Sequence, residues 1–332
     1  MAFDNLRLEK GMYGRGGRSF SDLLEELDPT AGYRGTELGG LDAYQRQLKR
    51  FDIRVSGPSS DPVEKFFQNS DSAVLFPEYI ARAVRAGKEE QDVLSKVIAT
   101  KTVIDTPDYR TISSVPTEED LDLKRVAQGA VIPETSIRTQ NNLVTLHKRG
   151  RMLVASYEAI RYQRLHLFTV TLRQIGAAIA KSQLADAIEV LIEGDGNNNA
   201  IETVTVSGDF GYDHLVSLWS ALDPYELRTI LAAPDRMVAL LSLQEMHHPI
   251  CGSGFEHTGR LVTPLGAQLV QAKALSSGKI IGLDSNCALE MVCADDVSIE
   301  YDKLIDRQLE RAAITATAGF AKIFPDAAKM LG

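Results

Sequence analysis

With 332 residues, of which 44% are apolar and 24% charged, the chain has room for a substantial core and the composition of a globular protein, and no run of about 18 apolar residues marks a membrane span. Asp plus Glu number 45 against 36 for Lys plus Arg, a net charge of -9, which is the wrong sign for an affinity built on neutralising phosphates. The opening stretch lacks the apolar core of a secretory signal, and the three cysteines (Cys251, Cys287, Cys293) have no paired spacing, so a reduced, intracellular birthplace is expected.

In chain order, residues 1–74 read as an extended N-terminal arm, with a short helical pattern over 21–27 and little core of its own, held down by a neighbouring subunit. A helix is predicted over 76–84, with Pro77 at its first turn, and a second helical stretch over 92–98. Between 102 and 155 the texture turns to strand, over 102–104, 109–115, 126–132 and 143–155, interrupted by the acidic patch Glu118-Glu119-Asp120. Residues 156–193 then carry apolar side chains at helical spacing (Leu165, Phe168, Leu172, Ile175, Ile179) with Ser156 as cap and Gly194-Asp195-Gly196 as stop. A single helix of that length spans roughly 55 Å, which suits the backbone of an elongated subunit. Residues 197–290 alternate short strands and helices, and strands are predicted again over 297–301 and 308–322.

The chemistry-bearing motifs favour bland readings. His247-His248-Pro249-Ile250-Cys251 with His257 has imidazole and thiolate ligands suited to zinc but no recognised ligand spacing, so a surface loop is the better reading. Asp195-Gly196-Asn197-Asn198-Asn199 begins like a calcium loop, but Ala200 and Val206 stand where glycine and a bidentate glutamate belong, leaving a helix-ending turn. Gly252-Ser253-Gly254 is not followed by the Lys of a phosphate loop, and Gly14-Arg15-Gly16-Gly17-Arg18 is a single copy in a flexible arm. Trp219, with Leu215, Leu218 and Leu222, reads as core. The one basic concentration is His147, Lys148, Arg149 and Arg151 with Arg161 and Arg164, whose nearest electrostatic match in sequence is the acidic patch 118–122. Aromatic stacking partners are few, so ion pairs between subunits are expected rather than a nucleic-acid patch.

Several local phrases are similar to those of one family. Gln128-Gly129-Ala130-Val131-Ile132-Pro133-Glu134-Thr135 resembles the family's "EGAxIPE" turn, and Leu143-Val144-Thr145-Leu146 through Val154-Ala155-Ser156-Tyr157-Glu158 looks like the strand that enters its spine helix. Ile299-Glu300-Tyr301, the stretch 311–320, and Phe324-Pro325-Asp326-Ala327-Ala328 resemble its closing strands. Over residues 75–331 the chain resembles the major capsid proteins of tailed bacteriophages, the Hong Kong ninety-seven-like fold. The resemblance implies an α+β fold with an N-terminal arm (1–74), an extended β-hairpin loop (101–155), a peripheral domain with a long spine helix (75–100, 156–196 and 291–332) and an axial domain (197–290). It further implies a structural protein, not an enzyme, without cofactor or metal, that self-assembles as hexamers and pentamers into an icosahedral shell. The shell would enclose double-stranded DNA in non-specific contact and would be made in the bacterial cytoplasm with a portal and a separate scaffolding protein as partners. Expected assembly contacts are Glu118, Glu119, Asp120, Pro133, Glu134, Lys148, Arg149, Arg151, Arg161 and Arg164. The alternatives are an encapsulin-type nanocompartment shell and, from another class, a metal-dependent hydrolase using His247, His248 and His257.

Overall fold

The computed structural model describes residues 2–13, 19–113, 125–130, 132, 138–247 and 261–332. The helices are α1 (Phe20–Leu27), α2 (Ala43–Arg50), α3 (Ser70–Val74), α4 (Phe76–Glu90), α5 (Tyr157–Tyr162), α6 (Leu165–Glu193), α7 (Tyr212–Ala221) and α8 (Pro234–Leu241). The strands are β1 (Thr100–Val103), β2 (Ile112–Ser113), β3 (Arg138–Thr139), β4 (Leu146–Ser156), β5 (Glu202–Val204), β6 (Thr229–Ala232), β7 (Gln268–Gln271), β8 (Ile280–Leu283), β9 (Leu289–Leu304), β10 (Leu309–Lys322) and β11 (Ala328–Leu331). The chain folds as two compact units, one of Met1–Gln91, Arg149–Ile179 and Val297–Ala316, the other of Asp92–Lys148, Ala180–Asp296 and Thr317–Gly332. A four-stranded sheet has the order β1-β9-β10-β4.

In the first unit the N-terminal segment departs from the expected coreless arm. Phe20, Leu24, Tyr44 and Leu48 are buried in the same cluster as Phe66, Phe76, Tyr79 and Ile80, together with Leu165, Leu172 and Ile175 of α6 and Ala312, Ile314 and Ala316 of β10. Its helices are short but well started. The Ser19 hydroxyl accepts the Asp22 N–H (3.1 Å) while the Ser19 N–H donates to the Asp22 carboxylate, and Asp42 and Gln45 repeat this box at α2. Two turns of helix carry too few apolar positions to register as a period, which is why the sequence reads as an arm.

The helix expected over 156–193 is broken. The Gln163 carbonyl accepts the Val63 N–H (3.0 Å) and the Leu165 N–H donates to the Asp61 carbonyl (2.9 Å). These bonds divert the backbone from the helical ladder and leave α5 and α6 separate. At 29 residues α6 runs about 43 Å. It crosses α4 at two glycines: a Cβ on Gly176 would lie 2.0 Å from the Val84 carbonyl oxygen, and one on Gly87 2.2 Å from that of Arg173.

In the second unit a five-stranded mixed sheet, β5-β11-β8-β6-β7, is covered on both faces. Along β6, Ile230 and Ala232 join Leu215, Leu218, Leu222 and Leu240 of the α7 and α8 region. The intervening Leu231 packs with Leu184, Ile188 and Leu191 of α6. With both faces covered, β6 and β8 are buried at every position and show no polar alternation. The helix expected over 92–98 is only a 3-10 turn, Leu94–Lys96, and 125–130 holds no strand where one was expected over 126–132.

Candidate assembly elements

Between β1 and β4, an excursion within the second unit, the described residues contribute little to a core. Of the described residues in 105–143 only Thr111 and Gln140 are buried, whereas Ile112, Val126, Ile132 and Leu143 are exposed, Ile132 to 72%. This excursion is nonetheless firmly rooted. Glu290, buried on β9 in register with Thr100, accepts the hydroxyls of Thr102 and Tyr109 (2.8 Å from Tyr109) on one carboxylate oxygen and that of Thr111 on the other. On the returning side the Gln140 amide donates to the Lys322 carbonyl (2.8 Å) and its oxygen accepts from Asn197 (2.7 Å). The two arms are tied by Gln140 N–H to Thr111 O (2.9 Å), Val144 N–H to Tyr109 O (2.9 Å) and the β2-β3 pair.

Asn197 belongs to the turn 194–199, which ends α6 as expected. Gly194 and Gly196 take positive φ there, and Asp195 accepts from the Asn197 and Lys322 N–H groups. The Lys322 side chain is fully buried and donates to the carbonyls of Leu191 (3.3 Å) and Asn199 (2.8 Å). A cation at the carbonyl end of α6 complements the helix dipole. Burial pulls this ammonium down to about 8, against the opposing influence of Asp195 and Asp326.

Of the expected contact residues, Glu118, Glu119, Asp120, Pro133 and Glu134 lie outside the described residues, as do His248, Cys251, His257 and Gly14 through Arg18. Lys148, Arg149 and Arg151 are exposed on β4, at one end of the four-stranded sheet's order. Arg161 faces Glu64 at 3.7 Å, and Arg164 donates to the Ser60 carbonyl (2.7 Å), so both have partners within the first unit. Another charged cluster there was not foreseen. Glu310, almost wholly buried, accepts the Tyr301 hydroxyl and pairs with Lys303 at 2.8 Å, while the Lys303 ammonium lies 4.6 Å from the Phe67 ring centre. Burial pushes the Glu310 carboxyl up to about 7.

Trp219 corrects an expectation: it is 53% exposed, at the edge of the α7 face that Leu215 and Leu218 bury. It lines a cleft of about 1200 Å³ in the second unit with Asp223, Tyr225, Glu226, Arg228 and Asn286. Among the described residues no three His, Cys, Asp or Glu side chains gather as a metal site, and no helix is long and apolar enough to cross a membrane.

Neither a protein-family model nor a curated protein matches the sequence. Solved structures do match. A virus-like particle from Pyrococcus furiosus superposes with a TM-score of 0.51 at 13% identity, over 77% of this chain and 98% of that one. The capsids of an empty and a native GTA particle match with a TM-score of 0.51 each, at 15% and 16% identity, over 70% of this chain and 87% of theirs. The chain has the phage major capsid fold. At such identity the likeness is one of fold, and the capsid fold is held by layers and register rather than by shared side chains. The residues that root the excursion in this version of the capsid fold were missed in sequence. Their signal was a charge inside an apolar run, Glu290 within Ala288-Leu289-Glu290-Met291-Val292 and Lys322 within Phe320-Ala321-Lys322-Ile323.

Proposed function

We propose that the chain is a structural shell subunit that works by associating with copies of itself, as the major capsid protein of a tailed phage does, and has no catalytic role. The observation that carries this reading is the excursion over 105–143, fixed at a polar root while Ile112, Val126, Ile132 and Leu143 among its described residues stand exposed. A lone subunit gains nothing from leaving such groups in water, whereas a second copy that covers them gains about 25 cal/mol for each Å² removed. The capsid fold of the superposed particles supports the same reading.

In its finer form the proposal assigns the excursion to the extended loop (101–155), 197–290 to the axial domain, and 75–100, 156–196 and 291–332 to the peripheral domain, with 1–74 added to the latter. Subunits would gather as hexamers and pentamers around DNA, with a portal and a separate scaffolding protein as further partners. The acidic patch Glu118, Glu119 and Asp120 of one copy would pair with Lys148, Arg149 and Arg151 of another. A nanocompartment shell is the second reading, favoured by the match to nearly the whole length of the Pyrococcus virus-like particle chain. Negative-stain microscopy with sedimentation on the purified protein tests both. Shells, tubes or capsomer rings are expected, and DNA inside particles made in cells separates the phage shell from the nanocompartment. A compact monomer under all conditions, scaffold present or absent, would remove the proposal.

A further inference from the structure

We propose that Glu290 and Gln140 form a two-armed latch that fixes the direction in which the two arms of the 105–143 excursion leave the four-stranded sheet, and that this direction decides which particle the chain builds. The second half rests on the shell-subunit reading above; the first does not.

The argument starts from the kind of contact found at the root. Apolar burial is non-directional, so a segment held by it alone can tilt with little loss. Hydrogen bonds weaken steeply away from linear geometry and resist tilting. The root has only a small apolar cluster, Val144, Val292 and Ala321 with Ile104, Tyr109 and Leu146 around them. Against this stand three hydroxyls converging on one buried carboxylate and an amide clamped between the Lys322 carbonyl and Asn197. The outgoing arm is thus fixed to β9 through Glu290 and the returning arm to the end of β10 through Lys322 O. These strands are the two inner members of the four-stranded sheet.

The chemistry also specifies the residue. Thr102, Tyr109 and Thr111 each donate a hydroxyl hydrogen, and an ionised carboxylate is acceptor only, with room for all three on its two oxygens. A glutamine in the same place has one acceptor oxygen and an NH2 group that cannot accept. Glu290→Gln therefore keeps the volume of the side chain and strands at least one hydroxyl. The rest of the sheet stays as it is, because the β1-β9 ladder is made by backbone groups.

Hydrogen exchange on the full-length protein tests the first half. In Glu290→Gln the amides of Gln140 and Val144, which tie the two arms, are expected to exchange about tenfold to a hundredfold faster, the equivalent of losing a hydrogen bond to a charged group. The amides of β6 and β8 should keep their protection. Unchanged exchange at Gln140 and Val144 overturns the latch, and so does an equal loss across β6 and β8, which would make Glu290 an ordinary core residue. Should Glu290→Gln not fold, Tyr109→Phe removes a single donor and is expected to speed Val144 alone by a smaller factor; no change there overturns the latch equally.

Microscopy of the assembled products tests the second half. Wild-type particles of one size and Glu290→Gln particles of mixed or open form support it, while identical particles from both overturn it. Absence of particles from the wild type counts against the shell-subunit reading and not against the latch, which the exchange rates decide by themselves.

Discussion

Arg46 is the bulkiest side chain among those that the fold buries completely, and its charge is met on every side. Its guanidinium donates to the Asp28 carboxylate (2.7 Å), the Leu41 carbonyl (2.6 Å), Thr30 (3.1 Å) and the Asp28 carbonyl, and lies 4.2 Å from the centre of the Tyr33 ring. Tyr33 completes the knot by donating to Asp28 (2.6 Å). Removing one partner of such a pair leaves the other charged and dry, so Arg46→Ala is expected to cost about 3–5 kcal/mol in denaturant unfolding. Glu310 gives a pH dependence whose sign follows from linkage. Its carboxyl sits at about 7 in the folded chain against an ordinary 4.5, so between those values the folded state holds a proton that the unfolded chain has released. Stability therefore falls as pH rises through this window, by at most about 3 kcal/mol, and Lys303 at 2.8 Å returns part of it. Unfolding midpoints from pH 4.5 to 7 should slope downward for the wild type and stay flatter for Glu310→Gln. Neither residue announced itself in the sequence, because the burial of a charge depends on partners brought from elsewhere along the chain. Trp219 erred the other way, since helical spacing beside leucines says that a residue adjoins a core face but not on which side of its edge it falls.

Helices and strands were legible wherever the period ran long enough. The long strand β10 stands close to where the alternation placed it, β9 runs as one strand through the predicted 297–301, and short strands and helices do alternate over 197–290. The errors fall where tertiary bonds overrule a local pattern, as at Gln163, whose carbonyl is taken by Val63, or where an element is too short for a period, as in α2. Gly176 was visible as the one glycine in a long helical pattern, without its reason. In an ordinary helix Gly→Ala gains roughly 1 kcal/mol. Here the added methyl would strike the α4 backbone at 2.0 Å, so the two helices must separate. Gly176→Ala is expected to destabilise by about 1–3 kcal/mol, read from chemical denaturation, with Gly87→Ala behaving alike. Stabilisation by either would contradict the close crossing.

At the scale of the whole molecule, the order of long helix, mixed unit and returning strands was legible because each has its own texture, whereas the arm carries core and 125–130 holds no strand. The division into two units was not, since each unit is stitched from three separate segments. The proposed pairing of acidic and basic patches belongs to this scale. Lys148→Glu with Arg151→Glu is expected to reduce particle yield severalfold, and adding Glu118→Lys with Asp120→Lys should restore it. Each exposed pair is worth only about 0–1 kcal/mol, but the contact recurs at every subunit. Recovery of yield at high salt without the second pair of changes would point instead to simple repulsion.

The stitching of the units also sets a timetable for synthesis. The first unit takes Val297–Ala316 into its core, and the second takes β11, which lies between β5 and β8. A ribosome delivers the chain from the other end, so residues 2–91 emerge roughly ten to forty seconds before the strands that complete their core, at about 5–20 residues per second. The first unit cannot close until translation has passed Val297–Ala316, nor the second until it has passed β11. A chain translated no further than α8 therefore has neither of its two units finished.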